Sequence, residues 1–431
     1  MATRSGAGRI PRPARQQARR GMARLLAALA GPWLAATGAL AQHAGQDLPE
    51  GPGRNTVQAI CGGCHEIGRI RAGYTPEGWH TVIRMMQNFG APIPPEEVAA
   101  VTEYLTRRFP ERPRPPAALV AGPVQVEIRD WPVPTPDSRP HDPMAARDGS
   151  IWYTGQLANT LGRVDPKTGQ VREYPVNPMT GPHGLIEDRE GHIWFTGNFC
   201  GLIGRLDPRT GAVTEYPLPD PEAGDPHTLV MDHDGLIWFS VQRGNRLGRL
   251  DPQSGEIQLV TAPTPNARPY GMAINSRGEI WFVEFGAPKI ATIDRATMAI
   301  REFSLPNPGA RPRRLAIGPD DAVWYTDYAR GTLGRLDPAT GQVQEWPSPS
   351  GTRSAPYGIV FTQGAAWYSE SGPTPNTIIR FDPETQAFQS WAIPGGGDIV
   401  HNMDVTPDGN PVTANSLVNR VGLVEIRRGA R

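Results

Sequence analysis

From residue 124 onward the chain is a succession of short apolar–polar runs, VREYP, IWFTG, LIGRL and VTEYP among them, bounded by Gly, Pro, Asp or Asn. Alternating runs of this length between turn residues predict short β-strands. They come in sets of four. Each set opens with a residue that follows a Pro or its equivalent: His141, His183, His227, Tyr270, Arg313, Tyr357 and His401, at spacings of 42, 44, 43, 43, 44 and 44. Trp152, Trp194, Trp238, Trp281, Trp324 and Trp367 keep the same step, Val412 takes the seventh place, and G-R-[LV]-D-P-x-[TS]-G recurs near 162, 204, 248 and 334. Four strands per unit, repeated seven times at this period, predict an all-β seven-bladed β-propeller over 124–431. The last set lacks a fourth run, and an unmatched one at 124–134 precedes the first. That run is expected to complete the last blade and close the ring. The Trp positions read as packing between blades, without chemistry.

Upstream the period changes to that of helices. Val98, Val101, Tyr104 and Leu105 share one helical face, and 55–60 and 75–89 read as two further helices. A small all-α domain is expected over 42–112, followed by a Pro-rich linker at 113–123. Within the domain lies Cys61-Gly62-Gly63-Cys64-His65, a C-x-x-C-H run. Its spacing lets two thiols add to the two vinyl groups of a haem while the next residue offers imidazole to the iron. No second Cys/His pair with zinc spacing follows. The region resembles small monohaem c-type cytochromes, so one covalent haem c is expected on Cys61, Cys64 and His65. The stretch Trp79…Met85…Gly90-Ala91 is similar to their sixth-ligand segment. Met85 is favoured as the second iron ligand beside His65, with Met86 and His80 as alternatives.

Charge changes the picture of the N-terminus. The whole chain balances 43 basic against 43 acidic residues, but 1–41 hold seven Arg and no acid. The basic stretch, the apolar run 25–40 and Ala39-Leu40-Ala41 follow the order of a cleaved signal peptide over 1–41. A periplasmic or secreted protein is then expected, with a mature net charge of −7. That balance argues against nucleic-acid binding, and no later stretch is apolar enough to span a membrane. Three Cys exclude a disulfide scaffold.

In a propeller, equivalent positions point to equivalent places, and the first strand lies nearest the axis. The seven residues that open the blades should therefore ring one mouth of the channel. His401, His141, His183 and His227 fall on consecutive blades and form one arc, with Tyr270, Arg313 and Tyr357 opposite. A second set, three residues after each Trp (Gly155, Gly197, Val241, Glu284, Asp327, Glu370 and Ala414), would place carboxylates across the channel from the His arc. The arc leaves three roles open: substrate binding with acid–base work, binding of Mg²⁺ or a transition metal, and structural capping.

The repeats resemble the virginiamycin B lyase (streptogramin lyase) family, on a P-[HY]-G-I…G-x-I-W-F-T-E…K-I-G-R pattern along all seven blades. The resemblance implies elimination that linearises cyclic depsipeptides with Mg²⁺, using a P-H histidine from one blade and a Glu-Pro-His unit and a later Glu from the next. The segment 263–290, most similar to the family's first catalytic blade, has Tyr270 in place of His, and the next blade offers Arg313. Two blades back, His183 and Asp225-Pro226-His227 repeat the arrangement, with Gln242 at the later Glu position. In that register His227 is the general base, oriented by Asp225 and assisted by His183. Three functions stand side by side. The first is haem-mediated electron transfer with a redox partner protein or quinone-chain component, coupled to a small-molecule substrate or metal at the mouth. The second is a lyase, and the third a non-catalytic propeller that docks a redox partner.

Overall fold

The computed structural model describes residues 48–62 and 67–427, which fall within one compact unit. The signal segment 1–41 and both Cys64 and His65 lie outside the described residues.

Seven four-stranded antiparallel sheets form the propeller. Blade 1 starts at Pro140 and blades 2 to 7 at Pro182, Pro226, Pro269, Pro312, Pro356 and Val400. Blade 7 is completed by the N-terminal strand Gln125–Pro132, which pairs with Arg420–Arg427 from Gln125↔Arg427 to Pro132↔Arg420. The closure expected from the unmatched first run is thus present, and it joins the two ends of the ring.

The repeated sequence signatures have packing causes. The Trp side chains are buried between blades: Trp194 packs with Ile237, Phe239 and Leu250 of the next blade. The Gly of the L-G-R signature lies across from the aromatic that follows each Trp, as in Gly204↔Phe195 and Gly248↔Phe239. A Cβ at Gly248 would meet the Phe239 ring at 2.1 Å, so the close approach of ring to backbone selects glycine. The hydroxyl two residues after the Trp stitches blades together. Thr154 donates to the His183 carbonyl at 2.7 Å, Thr196 to that of His227 at 2.9 Å, and Ser240 to that of Tyr270 at 2.7 Å.

All seven inner strands carry an irregularity at the same place, between the Pro or Val that precedes the opening residue and the third residue after that Pro or Val. Strict alternation would send consecutive side chains to opposite faces. A bulge re-aims them, so that two successive residues of one blade reach the channel.

The helical segment is built from a turn at Arg54–Thr56, a π turn at Val57–Cys61, and helices at Pro76–Asn88 and Val98–Arg108. Thr75 caps the first long helix by accepting from the Gly78 N–H at 3.0 Å. Val57, Ile70, Trp79, Ile83, Val101, Tyr104 and Leu105 form its core, and the Trp79 indole donates to the Phe109 carbonyl at 2.8 Å. The Pro-rich stretch is strapped to blade 6 as well as linking the two parts. Val120 N–H donates to Ser390 Oγ at 2.7 Å, and Thr374 N–H donates to the Pro115 carbonyl at 3.0 Å. Among the described residues, no helix is long and apolar enough to cross a membrane.

Candidate functional site

The seven blade-opening residues meet in a closed ring. Ring centroids lie 4.0 Å apart for His401–His141, 3.7 Å for His141–His183, 3.8 Å for His183–His227 and 3.8 Å for His227–Tyr270. Tyr270 and Tyr357 share a hydrogen bond of 2.6 Å between their hydroxyls, and Tyr357 packs 5.1 Å from His401. The Arg313 guanidinium sits over the faces of Tyr357, Phe285, Tyr328 and Tyr270 at 4.1–5.1 Å, a cation–π cage.

A second layer lies beneath, made by the residue after each opening one. Arg314 reaches across from blade 5 and donates to both carboxylate oxygens of Asp142 in blade 1, at 2.9 and 3.1 Å. It also donates to Thr228 Oγ1 at 2.8 Å and to the His401 carbonyl at 3.2 Å. Asn402 completes the layer with a 3.1 Å bond to Asp142. This layer was not foreseen from the sequence, because strand alternation hides it. The recurring Gly at the same position (Gly184, Gly271, Gly358) was the available signal of crowding near the axis: a Cβ at Gly184 would meet the His227 carbonyl oxygen at 2.6 Å. On the far side of this layer, a cavity of about 630 Å³ opens between Met144, Leu185, Leu229, Met272, Leu315 and Met403.

The four imidazoles are buried and neutral. Burial pushes His183 down to about 3, and burial together with neighbouring His and Arg charges holds His141, His227 and His401 well below their usual value. Their Nδ1 atoms meet different partners: Asp142 at 2.8 Å for His141, Thr228 Oγ1 at 3.0 Å for His227, and Ser416 Oγ at 2.7 Å for His401. The Nδ1 of His183 is buried with no hydrogen-bond partner.

Several expectations need correction. Asp225 does not orient His227. Its carboxylate turns to Arg243, accepting from the backbone N–H at 2.7 Å and the side chain at 3.1 Å, and burial raises it to about 6. The carboxylates of blades 4 to 6 do not line the channel. Glu370 is held by Ser348, Ser350 and Thr377, and Asp327 accepts from the Arg311 N–H and pairs with Arg330 rather than Arg313. Glu284 lies by Glu302, and burial followed by that neighbour raises it to about 8. In blade 7 the register puts Asn415, not Ala414, opposite Val400.

Oxygen-seeking Mg²⁺ does not fit this mouth. The carboxylate of its metal-like group, His141, Asp142 and His183, is already bound by Arg314 and Asn402. The Nε2 atoms of His141 and His227, oriented through Nδ1, are the donors a transition metal would use.

The helical segment lies on the same mouth. Leu157, Phe199 and Arg243 follow the second strands of blades 1 to 3, whose ends Gly155, Gly197 and Val241 pair with Pro140, Pro182 and Pro226. Arg84 donates to the Leu157 carbonyl at 2.9 Å, Phe89 packs edge-on to Phe199 at 4.8 Å, and Arg243 covers Phe89 at 4.4 Å. Arg114 pairs with Asp398 of blade 7 at 2.7 Å. Tyr74, its hydroxyl pushed up by burial, also lies within electrostatic reach of Tyr328, Arg139 and Arg313. The helical segment therefore lies over blades 1, 2 and 3, and shares a cleft with Asp398 and Leu417 beside blade 7, where the linker residue Arg114 makes the ion pair. His80 is exposed in a cleft of about 400 Å³ shared with Asp137, Asp398 and Leu417. Met85 and Met86 are half-buried and are not members of the helical core. Cys61 is half-buried and packs against that core.

Comparison with solved structures returns lyase propellers. A streptogramin B lyase structure is 28% identical at a TM-score of 0.64, covering 70% of this chain and 98% of its own. Virginiamycin B lyase of Staphylococcus aureus is 24% identical at 0.63, over 70% of this chain and all of its own. A catalytically inactive variant of that enzyme with quinupristin gives 24% and 0.64 over the same shares. A comparison with curated proteins gives no match. The profile of the virginiamycin B lyase family matches residues 121–373, more than half of the chain, and the chain belongs to that family.

Proposed function

We propose that this protein is an exported c-type cytochrome fused to a lyase-family propeller, working in the periplasm or outside the cell, and that it exchanges electrons with an external redox protein or quinone-chain component while its propeller mouth binds a small molecule. The observation that carries the reading is the position of the helical segment. The part of the chain that holds Cys61-Gly62-Gly63-Cys64-His65 packs over the blades that contribute the His arc. The residues around it suit a haem: Cys61 ends a π turn against an apolar core, and Met85 and Met86 are half-buried outside that core. A haem c held there by Cys61, Cys64 and His65 would supply a one-electron centre for exchange with the redox partner. The chain's own residues bind and orient the small molecule and exclude water from the mouth.

The test is a redox titration of the haem-loaded, exported protein and of a variant with His141, His183, His227 and His401 replaced. We expect one covalent haem per chain and a potential that shifts in the variant. No haem, or a spectrum and potential indifferent to the arc, would overturn the reading. Metal analysis of the same preparation tests whether the imidazoles of the arc hold a transition metal, which the neighbouring guanidiniums oppose.

Family membership favours a second reading, elimination on a cyclic depsipeptide with His183 and His227 at the mouth. Incubation with a type B streptogramin and Mg²⁺ should then give a ring-opened product, and its absence removes the idea.

A further inference from the structure

Charge at the mouth is not balanced. Three guanidiniums meet there, and only one has a counter-ion: Arg314, through Asp142. Arg139 is set over the ring by a left-handed turn (φ 54°) just before the inner strand of blade 1. Its partners are neutral, Gln156 and the Nε2 of His401 at 3.3 Å. Arg313 bonds only to the Tyr270 hydroxyl, at 3.4 Å, among aromatic faces, and its Nε is buried without a partner. Among the described residues, neither arginine has a carboxylate within ion-pair distance. The buried Nδ1 of His183 is a further unpartnered polar atom in the same ring.

Two uncompensated cations in a desolvated mouth repel each other, and they oppose a divalent metal. A group that brings negative charge and several acceptor lone pairs satisfies them, because guanidinium pairs with planar oxyanions through paired hydrogen bonds. We propose that the propeller mouth binds its small molecule through an oxyanion group, a carboxylate or a phosphate, held between Arg139 and Arg313. This rests on the reading of the mouth as the small-molecule site, and it names the class of ligand. The aromatic and imidazole rings around the guanidiniums suit a ligand with a flat body, so benzoate is the natural probe.

The experiment is calorimetric titration of the haem-loaded full chain with benzoate, inorganic phosphate and neutral benzamide, with Arg139→Gln, Arg313→Gln and the exposed control Arg209→Gln. We expect saturable binding of benzoate or phosphate, at least about tenfold weaker binding of benzamide, and a loss of about tenfold or more in each mouth variant but not in the control. Preference for benzoate or for phosphate separates the two sources. Equal binding of benzamide, unchanged affinity in both mouth variants, or no anion binding tighter than about 1 mM would overturn the proposal. If a mouth variant does not fold, thermal shifts of the wild-type chain with benzoate, benzamide and added NaCl decide: stabilisation by benzoate alone that salt weakens supports the site, and equal shifts overturn it. Anion binding that leaves the haem potential unmoved keeps the oxyanion site and overturns the electron-transfer coupling. A potential that responds equally to benzamide does the reverse.

Discussion

Replacing Asp142 with Asn leaves the Arg314 guanidinium buried with no counter-charge. The two side chains are 2% and 3% exposed and joined at 2.9 and 3.1 Å. Arginine cannot shed its proton, so the variant keeps a desolvated cation on the channel axis. Breaking a buried pair from one side costs about 3–5 kcal/mol. For a domain this large that is a fall in Tm of roughly 5–15 °C. The reverse change, Arg314→Met, should cost less, because Asp142 still has Asn402 and His141 as partners. The double variant removes both charges and should recover all but about 1–2 kcal/mol. Urea unfolding at neutral pH, followed by tryptophan fluorescence, reads all three. A loss below about 1 kcal/mol in D142N, or a double variant that costs the sum of the singles, would mean that the pair is hydrated and the second layer is not a closed plug.

Acid should loosen the propeller through its arc. His183 is shifted from 6.5 to about 3, so its contribution is present above pH 6.5 and is lost as the pH falls. At pH 5 the loss is about 2 kcal/mol for this residue, and His183→Gln should flatten the stability–pH curve between pH 5 and 7; an unchanged slope would refute the assignment. Glu284 is shifted the other way, from 4.5 to about 8, so its contribution is present below pH 4.5 and is lost as the pH rises through 8. Keeping its proton at pH 7 costs about 3 kcal/mol; Glu284→Gln should stabilise by up to that amount, and a destabilised variant would count against a protonated Glu284. Gly248→Ala should cost about 1–3 kcal/mol in urea unfolding, towards the lower end because blade 4 already carries Ala291 opposite Phe282.

The repeat was legible because each signature residue answers a local packing demand that recurs once per blade. The ring itself could be read from spacing alone, since His141 through His401 occupy one register position. What lay beneath could not be read that way. Asp142, Thr228, Arg314 and Asn402 follow ring residues directly, and period-two alternation assigns them to the opposite face until the bulge turns them inward. Alternation also misplaced the carboxylates of blades 4 to 6, whose loops supply enough donors to hold Glu370 and Asp327 away from the axis. Asp225 misled for a similar reason: its sequence neighbour is His227, but its spatial neighbour is Arg243.

The same geometry bears on what the arc can do as a base. General-base catalysis near neutral pH works best with an imidazole whose pKa lies close to the working pH. At this mouth, burial and the charges of Arg139, Arg313 and Arg314 drive the four histidines far below that range. With the mouth open to water alone they are hydrogen-bonding groups and poor proton acceptors. An oxyanion seated between Arg139 and Arg313 would offset the arginine charge, the lesser cause beside burial, and so raise their affinity for a proton in part. On the proposed oxyanion site, basicity in the arc rises with occupancy by an anion, whereas a neutral cyclic depsipeptide would meet weak bases. Family membership accounts for the propeller, and on the proposed oxyanion site it is Arg139 and Arg313 that would select the charge of the ligand.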